Sequence, residues 1–382
     1  MKEIIRKNVE LKIINWKKEI SDSLSIPLLQ ERIDLAEKFQ KAPFGDFSDL
    51  DIMKWFLYKK EYLDQQHDKS VRTIKEYERE LTQFVEQLIK SSTEIDLDID
   101  TIIQGSLFKS LESRHIRRYQ EWLFKQSPYE KEKGPYSPAT LSRKTTIIKN
   151  FLSFLYEVKY IEEPIYKGLK IATVRKDDRP NRDLGPKEVI RLLDHFRDIN
   201  HPIVFAIIHI LTTTGLRNEE FCNLKVADIQ YDSINEQHYL NVLGKGNKKR
   251  QIPLKEKSME SIKMFRYARG LPEVAVSDKE SSLFTTNTGK AYTPSYLSQF
   301  LTKKIKETNL EFLMHRISPI GPHTFRHAFA IISYISGVDI YKIMRSLGHE
   351  KIETTMIYLE KVFEKERHAI HEWNSEVFGD YI

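Results

Sequence analysis

A short turn rich in glycine and lysine, G-K-G-N-K-K at residues 244–249, most limits how this chain can fold. The turn separates two runs, H-Y-L-N-V-L at 238–243 and R-Q-I-P-L at 250–254, whose composition is typical of β-strands. Its glycines and its asparagine tolerate the positive φ that a tight hairpin turn requires. The sequence therefore predicts a β-hairpin in the second half of the chain.

Most of the remaining sequence has the apolar spacing of helices. The apolar residues of 71–88 fall on one helical stripe, and the pair Ser137–Pro138 is a typical helix start. Pro186 lies near another predicted start, the apolar run at 203–211 predicts a buried helix, and Gly348 is predicted to end a helix. The fold class that follows is α+β, mainly α with a small β-hairpin or sheet.

Length and composition narrow the class of protein. A chain of 382 residues is longer than a typical single domain, so we expect two or three domains. The net charge of +6 permits a nucleic-acid partner without requiring one. Cys222 is the only cysteine, which excludes an intramolecular disulfide and fits a reducing compartment. No apolar run reaches 18 residues, so we expect a soluble, intracellular protein without membrane contact.

Changes in pattern along the chain predict its domains. Residues 1–45 are a polar, partly helical extension with no assigned role, and 46–165 are a helical domain. Residues 166–183 lose periodicity and predict a linker, and 184–382 form a second domain with a C-terminal tail at 359–382. The linker is rich in basic residues, including Arg175, Lys176, Arg179 and Arg182. A basic strap suits a protein that closes around DNA, and an ordinary solvated linker is the alternative.

A second basic set lies at the start of the helix that follows Ser137. It consists of Arg143, Lys144 and Lys149. On composition alone these charges read as a solvated helix face. They are nevertheless candidates for DNA contact, together with Arg175, Lys176 and Arg179 of the linker.

Four stretches of the second domain contain residues that could carry chemistry. In T-T-T-G-L-R-N-E-E-F at 212–221, Glu220 lies three positions after Arg217 and could hold its guanidinium. Lys245 lies between two glycines of the hairpin turn, where it could donate a proton or contact a phosphate. Each feature alone also fits an ordinary surface residue.

The other two stretches lie nearer the C-terminus. In G-P-H-T-F-R-H-A-F at 321–329, His323 and Arg326 share one helical face, and we interpret His327 as structural. In S-L-G-H-E-K-I-E-T-T-M-I-Y-L-E-K at 346–361, Tyr358 follows His349 by nine residues.

The six candidate catalytic residues form a chemically coherent set: Arg217, Lys245, His323, Arg326, His349 and Tyr358. Guanidinium groups match phosphate oxygens, and fixed cations stabilise the charge that develops when a phosphodiester is attacked. A tyrosine hydroxyl is a competent nucleophile when a base takes its proton. The sequence shows no acidic cluster for magnesium and no Walker A or G-x-S-x-G pattern, so we expect neither metal nor cofactor.

The order of these residues resembles the tyrosine site-specific recombinases, the phage integrase and Xer family. The spacings from Arg326 to His349 and from His349 to Tyr358 match the Xer-like pattern, and Asn218 stands where an aliphatic residue is commoner. The resemblance covers about 184–360 and extends more weakly over 46–165. The motifs that carry it are T-G-L-R-N-E-E, L-G-K-G-N-K-K-R-Q-I-P-L, H-T-F-R-H and L-G-H-E-K-I-E-T-T-M-I-Y.

The resemblance implies a two-domain DNA clamp that cleaves and rejoins strands through a 3′-phosphotyrosyl intermediate at Tyr358. It implies that Arg217, Arg326 and His349 stabilise the transition state, while Glu220 orients the site. It further implies that Lys245 protonates the leaving 5′-oxygen and that His323 assists proton transfer.

The resemblance also implies partners and a cellular setting. They are double-stranded DNA, a homo-tetramer on paired sites that passes through a Holliday junction, and an accessory directionality factor. The setting is the cytoplasm and nucleoid of a prokaryote or phage host, with integration, excision or resolution of a mobile element or phage as the role. An apolar stripe in the tail predicts docking on a neighbouring subunit, and packing on its own domain is the alternative. That stripe contains Val362, Phe363, Ile370, Trp373 and Phe378.

Three other readings stay open at this point. A non-catalytic DNA-binding regulator could use the same fold, because a fold does not fix a function. A type IB topoisomerase would use similar chemistry without pairing two sites. Residues 1–45 could form a separate module that reads a second DNA site or a partner protein.

Overall fold

The computed structural model describes residues 25–60, 68–97, 106–125, 134, 136–175, 182–244, 248–366 and 369–372. The chain divides into two compact units, Met1–Arg179 and Pro180–Ile382. This division lies within 166–183, the segment predicted to be a linker. No described helix is both long and apolar enough to cross a membrane.

The first unit is helical throughout its described parts. Its helices are α1 Ile26–Lys38, α2 Asp49–Tyr58, α3 Val71–Lys90, α4 Ser113–Lys125 and α5 Pro138–Glu157, with short 3-10 turns at Phe108–Ser110 and Ile165–Gly168. The side chains of Ser48, Ser70 and Ser137 cap α2, α3 and α5 by accepting a backbone N–H of the first turn. The predicted amphipathic helix over 71–88 and the predicted helix start at Ser137–Pro138 are confirmed.

The core of the first unit includes the helix that precedes residue 45. Leu29 and Ile33 of α1 are buried in the same apolar cluster as Phe84 of α3 and Phe151 of α5. From residue 26 onward, the segment predicted as an extension therefore packs with the helical unit. Residues 1–24 lie outside the described part of the chain.

The second unit combines helices with one small sheet. Its helices are α6 Pro186–Asp198, α7 Pro202–Thr214, α8 Asn218–Asn223, α9 Glu256–Ala268, α10 Pro294–Lys306, α11 Glu311–Met314, α12 Pro322–Ile335, α13 Ile340–Leu347 and α14 Ile352–Glu366. Single 3-10 turns lie at Val226–Asp228, Val274–Val276 and Ala369–Glu372. The strands are β1 Ile229–Asp232, β2 Gln237–Leu243 and β3 Lys249–Leu254.

The sheet is antiparallel in the order β1-β2-β3, and β2 with β3 forms the predicted hairpin. Leu240 of β2 pairs with Ile229 on one side and with Ile252 on the other. The hairpin is confirmed, whereas the sequence did not predict β1, in which only Ile229 is buried. Gly244 donates its N–H to the Lys248 carbonyl at 2.8 Å and closes the base of the turn. The turn residues 245–247 lie outside the described residues.

The predicted buried helix at 203–211 is confirmed as α7, which lies in the centre of the second core. Ile207, Ile208 and Leu211 are fully buried there. A smaller cluster, including Ile331 of α12, Leu347 of α13 and Leu359 of α14, seats α14 against α12 and α13. This packing determines where Tyr358 lies, one residue before Leu359.

The beginning of the predicted tail packs on its own unit. Val362 and Phe363 lie against the small cluster, and the rings of Phe363 and Tyr334 are 5.0 Å apart in an edge-to-face contact. Ile370 is exposed. Trp373 and Phe378, which complete the predicted stripe, lie outside the described residues.

Candidate active site

The described candidate residues meet where four segments of the second unit converge. Arg217 precedes α8, and His323 and Arg326 lie in the first turns of α12. His349 follows the end of α13, and Tyr358 lies on α14. Lys245 is in the hairpin turn, outside the described residues.

The carboxyl end of α13 holds both arginines. The Nη2 atom of Arg326 donates to the Leu347 carbonyl at 2.6 Å, and Nη2 of Arg217 donates to the Gly348 carbonyl at 3.0 Å. These carbonyls carry the partial negative charge of a helix terminus, which favours a cation. The two guanidinium groups are thus fixed by adjacent backbone oxygens before any substrate is present.

Arg326 is buried and remains a cation. Burial lowers the pKa of its guanidinium to about 10, and the charge of Arg217 acts in the same direction. Its Nη1 atom donates to the Gly215 carbonyl at 2.5 Å. Tyr358 and Glu220 are among the groups that partly oppose this lowering of the pKa.

Two glycines permit this close packing. Gly348 ends α13 with a φ of 65°, as predicted, and Gly215 ends α7 with a φ of 61°. A Cβ atom on Gly215 would lie 2.9 Å from the side chains of Leu347 and Phe329. The approach of α7 to α12 and α13, which brings the Gly215 carbonyl to Arg326, therefore requires glycine here.

Glu220 is a buried carboxylate that both Arg217 and Arg250 contact. Nη1 of Arg217 donates to Oε1 at 2.9 Å, and the Arg217 backbone N–H donates to Oε2 at 2.7 Å. Nη1 and Nη2 of Arg250 donate to Oε1 and Oε2, each at 2.7 Å. Burial raises the pKa of Glu220, but the bonds and charges of Arg250 and Arg217 outweigh it and hold the pKa at about 2.

The phenol ring of Tyr358 lies between two imidazoles. The His327 ring stacks on it with centroids 3.7 Å apart, and the His349 ring meets it edge-on at 5.1 Å. Nδ1 of His349 shares a 2.9 Å hydrogen bond with the hydroxyl of Thr355, which is one turn before Tyr358 on α14. When the Thr355 hydroxyl is the donor, the imidazole proton is on Nε2 and can face a substrate oxygen.

The three histidines of the site are neutral at neutral pH. Burial, followed by the charges of neighbouring arginines, lowers the pKa of His327 to about 3 and that of His349 to about 4. Partial desolvation and the charges of Arg182, Arg326 and Arg217 lower the pKa of His323 in the same direction. Because His323 stays exposed at the rim of the site, its neutral ring is open to accept a proton.

The sequence model of the phage integrase family matches residues 182–365. The tyrosine recombinase XerC of Shewanella sp. strain ANA-3 is 30% identical over 225 residues, which cover 58% of this chain and 69% of that protein. The tyrosine recombinase XerD of Listeria innocua is 26% identical over 312 residues, 81% of this chain and 93% of that protein. The chain belongs to the phage integrase family of tyrosine recombinases. It is an enzyme of site-specific DNA recombination, which cleaves and rejoins DNA.

Solved structures share the recombinase fold. The XerH site-specific recombinase in a post-cleavage complex with palindromic difH superposes with a TM-score of 0.58 at 23% identity, over 80% of this chain and 81% of that one. A lambda integrase fragment, crystallised as a dimer on a COC′ core site, gives 0.56 at 14% identity, over 76% and 89%. The predicted fold class, mainly α with a small sheet, is confirmed.

Two residues of the candidate site escaped the sequence analysis. Arg250 was not selected, although it shares the inward face of β3 with Ile252 and Leu254 at a spacing of two. An arginine on the apolar face of a strand is the signal that could have found it. His327 was interpreted as structural, and nothing in H-T-F-R-H indicated that its ring would contact Tyr358.

The basic residues of the first unit have different surroundings. Lys144 is buried, and its ammonium group donates to Glu80 at 2.7 Å and to Gln83. Arg143 pairs with Glu80 at 3.3 Å, and Lys149 is half-buried on the same helix. Contact of Lys144 with DNA would require this ion pair to open. Arg175 is exposed, whereas Lys176 and Arg179 lie outside the described residues.

Among the described residues, no group of three histidine, cysteine, aspartate or glutamate side chains is placed to hold a metal ion. The described side chains that meet at the candidate site are guanidinium, imidazole and phenol groups around one carboxylate.

Proposed function

We propose that this recombinase cleaves DNA by attack of the Tyr358 hydroxyl on a scissile phosphate. The observation that supports this role is the position of the phenol, which stacks on His327, the residue after Arg326 on α12, and meets His349 edge-on. A phosphate that reaches Tyr358 in this position also reaches a fixed cation. Attack and charge stabilisation therefore occur at one place.

The proposed reaction needs neither water nor a nucleotide cofactor, because one bond to phosphorus forms as another breaks. The Tyr358 oxygen forms a bond to phosphorus, and the bond from phosphorus to the 5′-oxygen breaks. The products are a 3′-phosphotyrosyl link and a free 5′-hydroxyl on the other strand end. Because one phosphoester replaces another, attack by a 5′-hydroxyl on the phosphotyrosyl bond rejoins a strand by the same route.

Proton transfer is assigned to the rim of the site. The Tyr358 hydroxyl must lose its proton as it attacks phosphorus, so the reaction needs a base. His323, which is neutral and exposed, would accept that proton. Arg217 and Arg326 would hold the non-bridging phosphate oxygens, and His349 would donate an N–H to one of them.

Lys245 would protonate the leaving 5′-oxygen. The surroundings of the two residues that flank its turn support this role. A Cβ atom on Gly244, the preceding residue, would lie 3.4 Å from Oε1 of Glu220. On the other side of the turn, Lys248 forms a 2.6 Å ion pair with Glu350, the residue after His349. The turn thus begins and ends beside residues of the site.

The assembly is proposed by analogy with the fold relatives. One of them is a lambda integrase tetramer bound to a Holliday junction, with a TM-score of 0.55 at 13% identity. We infer that four copies of this chain pair two double-stranded sites and that the reaction takes place in the cytoplasm. An accessory directionality factor remains part of this proposal.

The segment after α14 would dock on a neighbouring subunit. Val362 and Phe363 pack on their own unit, so the segment available for a neighbour begins after Glu366. A chain cut after Glu366 should bind a single DNA site as the full chain does and form fewer tetramers, measured by sedimentation on paired sites. Equal loss of both properties would contradict this docking.

The test of the proposed reaction uses nicked duplexes tiled from the DNA flanking the gene. Full-length protein and its Tyr358→Phe variant are incubated with them in EDTA, and denaturing gels reveal protein-linked DNA. We expect a covalent band from the unsubstituted protein alone, together with equal binding by both proteins. A strict magnesium requirement would contradict the mechanism. Tight binding without a band would favour a DNA-binding regulator, and relaxation of any supercoiled plasmid would favour a topoisomerase.

A further inference from the structure

We propose that Arg250 is a positioning residue for strand cleavage, because it holds the Glu220 carboxylate that in turn holds Arg217. The inference rests on the proposed function, in which Arg217 contacts the scissile phosphate. It adds a residue of the hairpin, outside the six candidate catalytic residues, to the parts that set the geometry of the site.

The hydrogen bonds around Glu220 form a continuous path from the sheet to the helix end. Each carboxylate oxygen of Glu220 accepts one bond from Arg250 and one from Arg217. The guanidinium of Arg217 continues the path by donating to the Gly348 carbonyl at 3.0 Å. A change at Arg250 therefore reaches Arg217 through one intervening side chain.

Arg250 is enclosed in a way that favours an indirect role. Only 13% of its side chain is exposed, and both Nη atoms are bonded to Glu220. It also packs against Gly348, where an added Cβ atom would lie 3.4 Å from the Cδ and Nη1 atoms of Arg250. The side chain thus fills the space between Gly348 and Glu220, and a phosphate would meet Arg217 first.

The charge of Arg250 is needed because Glu220 is buried. Burial raises the pKa of this carboxyl, and Arg250 supplies the largest of the opposing effects. Arg217, at the start of α8, is the other group that faces the carboxylate, and the charges of Arg326 from α12 and His349 after α13 also interact with it. Without Arg250, we expect the pKa of Glu220 to rise toward the range in which cleavage is measured.

Five variants test the role: Arg250→Met, Arg250→Lys, Glu220→Gln, the double variant R250M/E220Q and the control Lys249→Met. Lys249 is the exposed neighbour on β3, so its replacement removes one positive charge from the same strand on the other face. Two quantities are measured for each protein. They are the single-turnover rate of covalent-complex formation on the nicked duplex and the Kd for the intact duplex.

We expect Arg250→Met to lower the rate about 10²-fold with little change in Kd, since small displacements of a substrate-positioning group have effects of this size. Arg250→Lys keeps the charge but loses the two-pronged bond, so an intermediate loss is expected. The double variant should be no slower than Arg250→Met, because both substitutions interrupt the same hydrogen-bonded path from Arg250 through Glu220 to Arg217. Lys249→Met should keep the unsubstituted rate.

The pH profile separates positioning from a merely structural effect. In Arg250→Met, the cleavage rate should show an additional decrease from about pH 7 to about pH 5, because Glu220 takes up a proton over this range. The rate of the unsubstituted protein should lack this additional decrease. The additional decrease in rate should be absent from R250M/E220Q, which has no carboxyl at position 220. If it persists there, His349 is its source and the inference is wrong.

Other outcomes also decide the question. Multiplicative losses in the double variant would mean that Arg250 acts independently of Glu220, and an equal loss in Lys249→Met would show a general charge effect. If circular dichroism shows that Arg250→Met does not fold, Arg250→Lys decides the question. A cleavage rate in Arg250→Lys equal to that of the unsubstituted protein would then overturn the inference. If the unsubstituted protein forms no covalent complex on any duplex, the proposed function fails instead.

Discussion

The imidazole of His327 lies nearly parallel to the phenol ring of Tyr358, with ring centroids 3.7 Å apart and an angle of 18° between the planes. His349 meets the same phenol at 88°. The ring that carries the proposed nucleophile is thus in contact with two aromatic side chains. Both imidazoles are neutral at neutral pH, so the contact depends on shape and dispersion rather than on charge.

Replacement of His327 should therefore slow strand cleavage. We expect His327→Ala to reduce the single-turnover rate about fivefold, since an aromatic pair of this kind is worth about 1 kcal/mol. His327→Phe keeps a flat ring and should lose less. The covalent-complex assay measures both rates, with the Kd for DNA as the control. Equal loss in the two variants would show that stacking is not what His327 contributes.

Burial of these two imidazoles makes folding sensitive to acid. Their pKa values in the folded chain, about 3 for His327 and about 4 for His349, lie below the ordinary value of 6.5. Below about pH 6.5 the unfolded chain binds protons that the folded chain does not, so the free energy of unfolding must fall. This loss begins at about pH 6.5 and ends for His349 near its folded pKa of about 4.

Urea unfolding at several pH values measures this loss. Between about pH 6.5 and about pH 5 the buried carboxylate of Glu220 stays ionised in both states. Burial raises the pKa of Asp49, so that carboxyl also contributes to the slope, and a comparison of variants isolates the contribution of one histidine. We expect His327→Phe to reduce that slope because one depressed imidazole is gone. Equal slopes in His327→Phe and the unsubstituted protein would contradict the protonation state assigned to His327.

Gly215 provides a matched test of close packing. It and Gly337 both have positive φ, at 61° and 80°, but only Gly215 has neighbours where a Cβ atom would lie. Gly337→Ala should therefore lower the free energy of unfolding by about 1 kcal/mol, through backbone strain alone. Gly215→Ala should cost more, because an added Cβ atom would meet Leu347 and Phe329 at 2.9 Å. Urea unfolding compares the two, and equal costs would show that the packing at Gly215 gives way freely.

The sequence predicted elements whose cause is local. The turn at 244–249 predicted the hairpin, and the apolar run at 203–211 predicted α7, because turn residues and apolar spacing act over a few residues. It did not predict β1, since its four residues form a strand through pairing with β2 rather than through their own pattern.

In the candidate site, too, the sequence predicted only contacts between residues that are close in the chain. The proximity of Arg217 and Glu220 follows from a spacing of three, and the structure contains that pair. The contact of Arg250 with Glu220 and that of His327 with Tyr358 join residues 30 and 31 positions apart. Such contacts depend on how α8, β3, α12 and α14 pack, which no local pattern specifies.

The contrast between Lys144 and Lys149 leads to the last prediction. Both were candidates for DNA contact on the same helix, but Lys144 is buried against Glu80, whereas Lys149 is half-buried near the surface. Breaking a buried ion pair leaves an uncompensated charge. We therefore expect Lys144→Met to lower the free energy of unfolding by about 3 kcal/mol, and Lys149→Met to leave it nearly unchanged.

The measurement is urea unfolding of the full chain, followed by DNA binding of each variant at a pH and temperature where both are folded. The double variant K144M/E80Q should recover part of the lost stability, because it also removes the buried carboxylate. Arg79 and Arg143, which contact Glu80 as well, limit how much is lost in Lys144→Met alone. If Lys144→Met is as stable as the unsubstituted protein but binds DNA more weakly, Lys144 leaves its ion pair to contact the phosphate backbone.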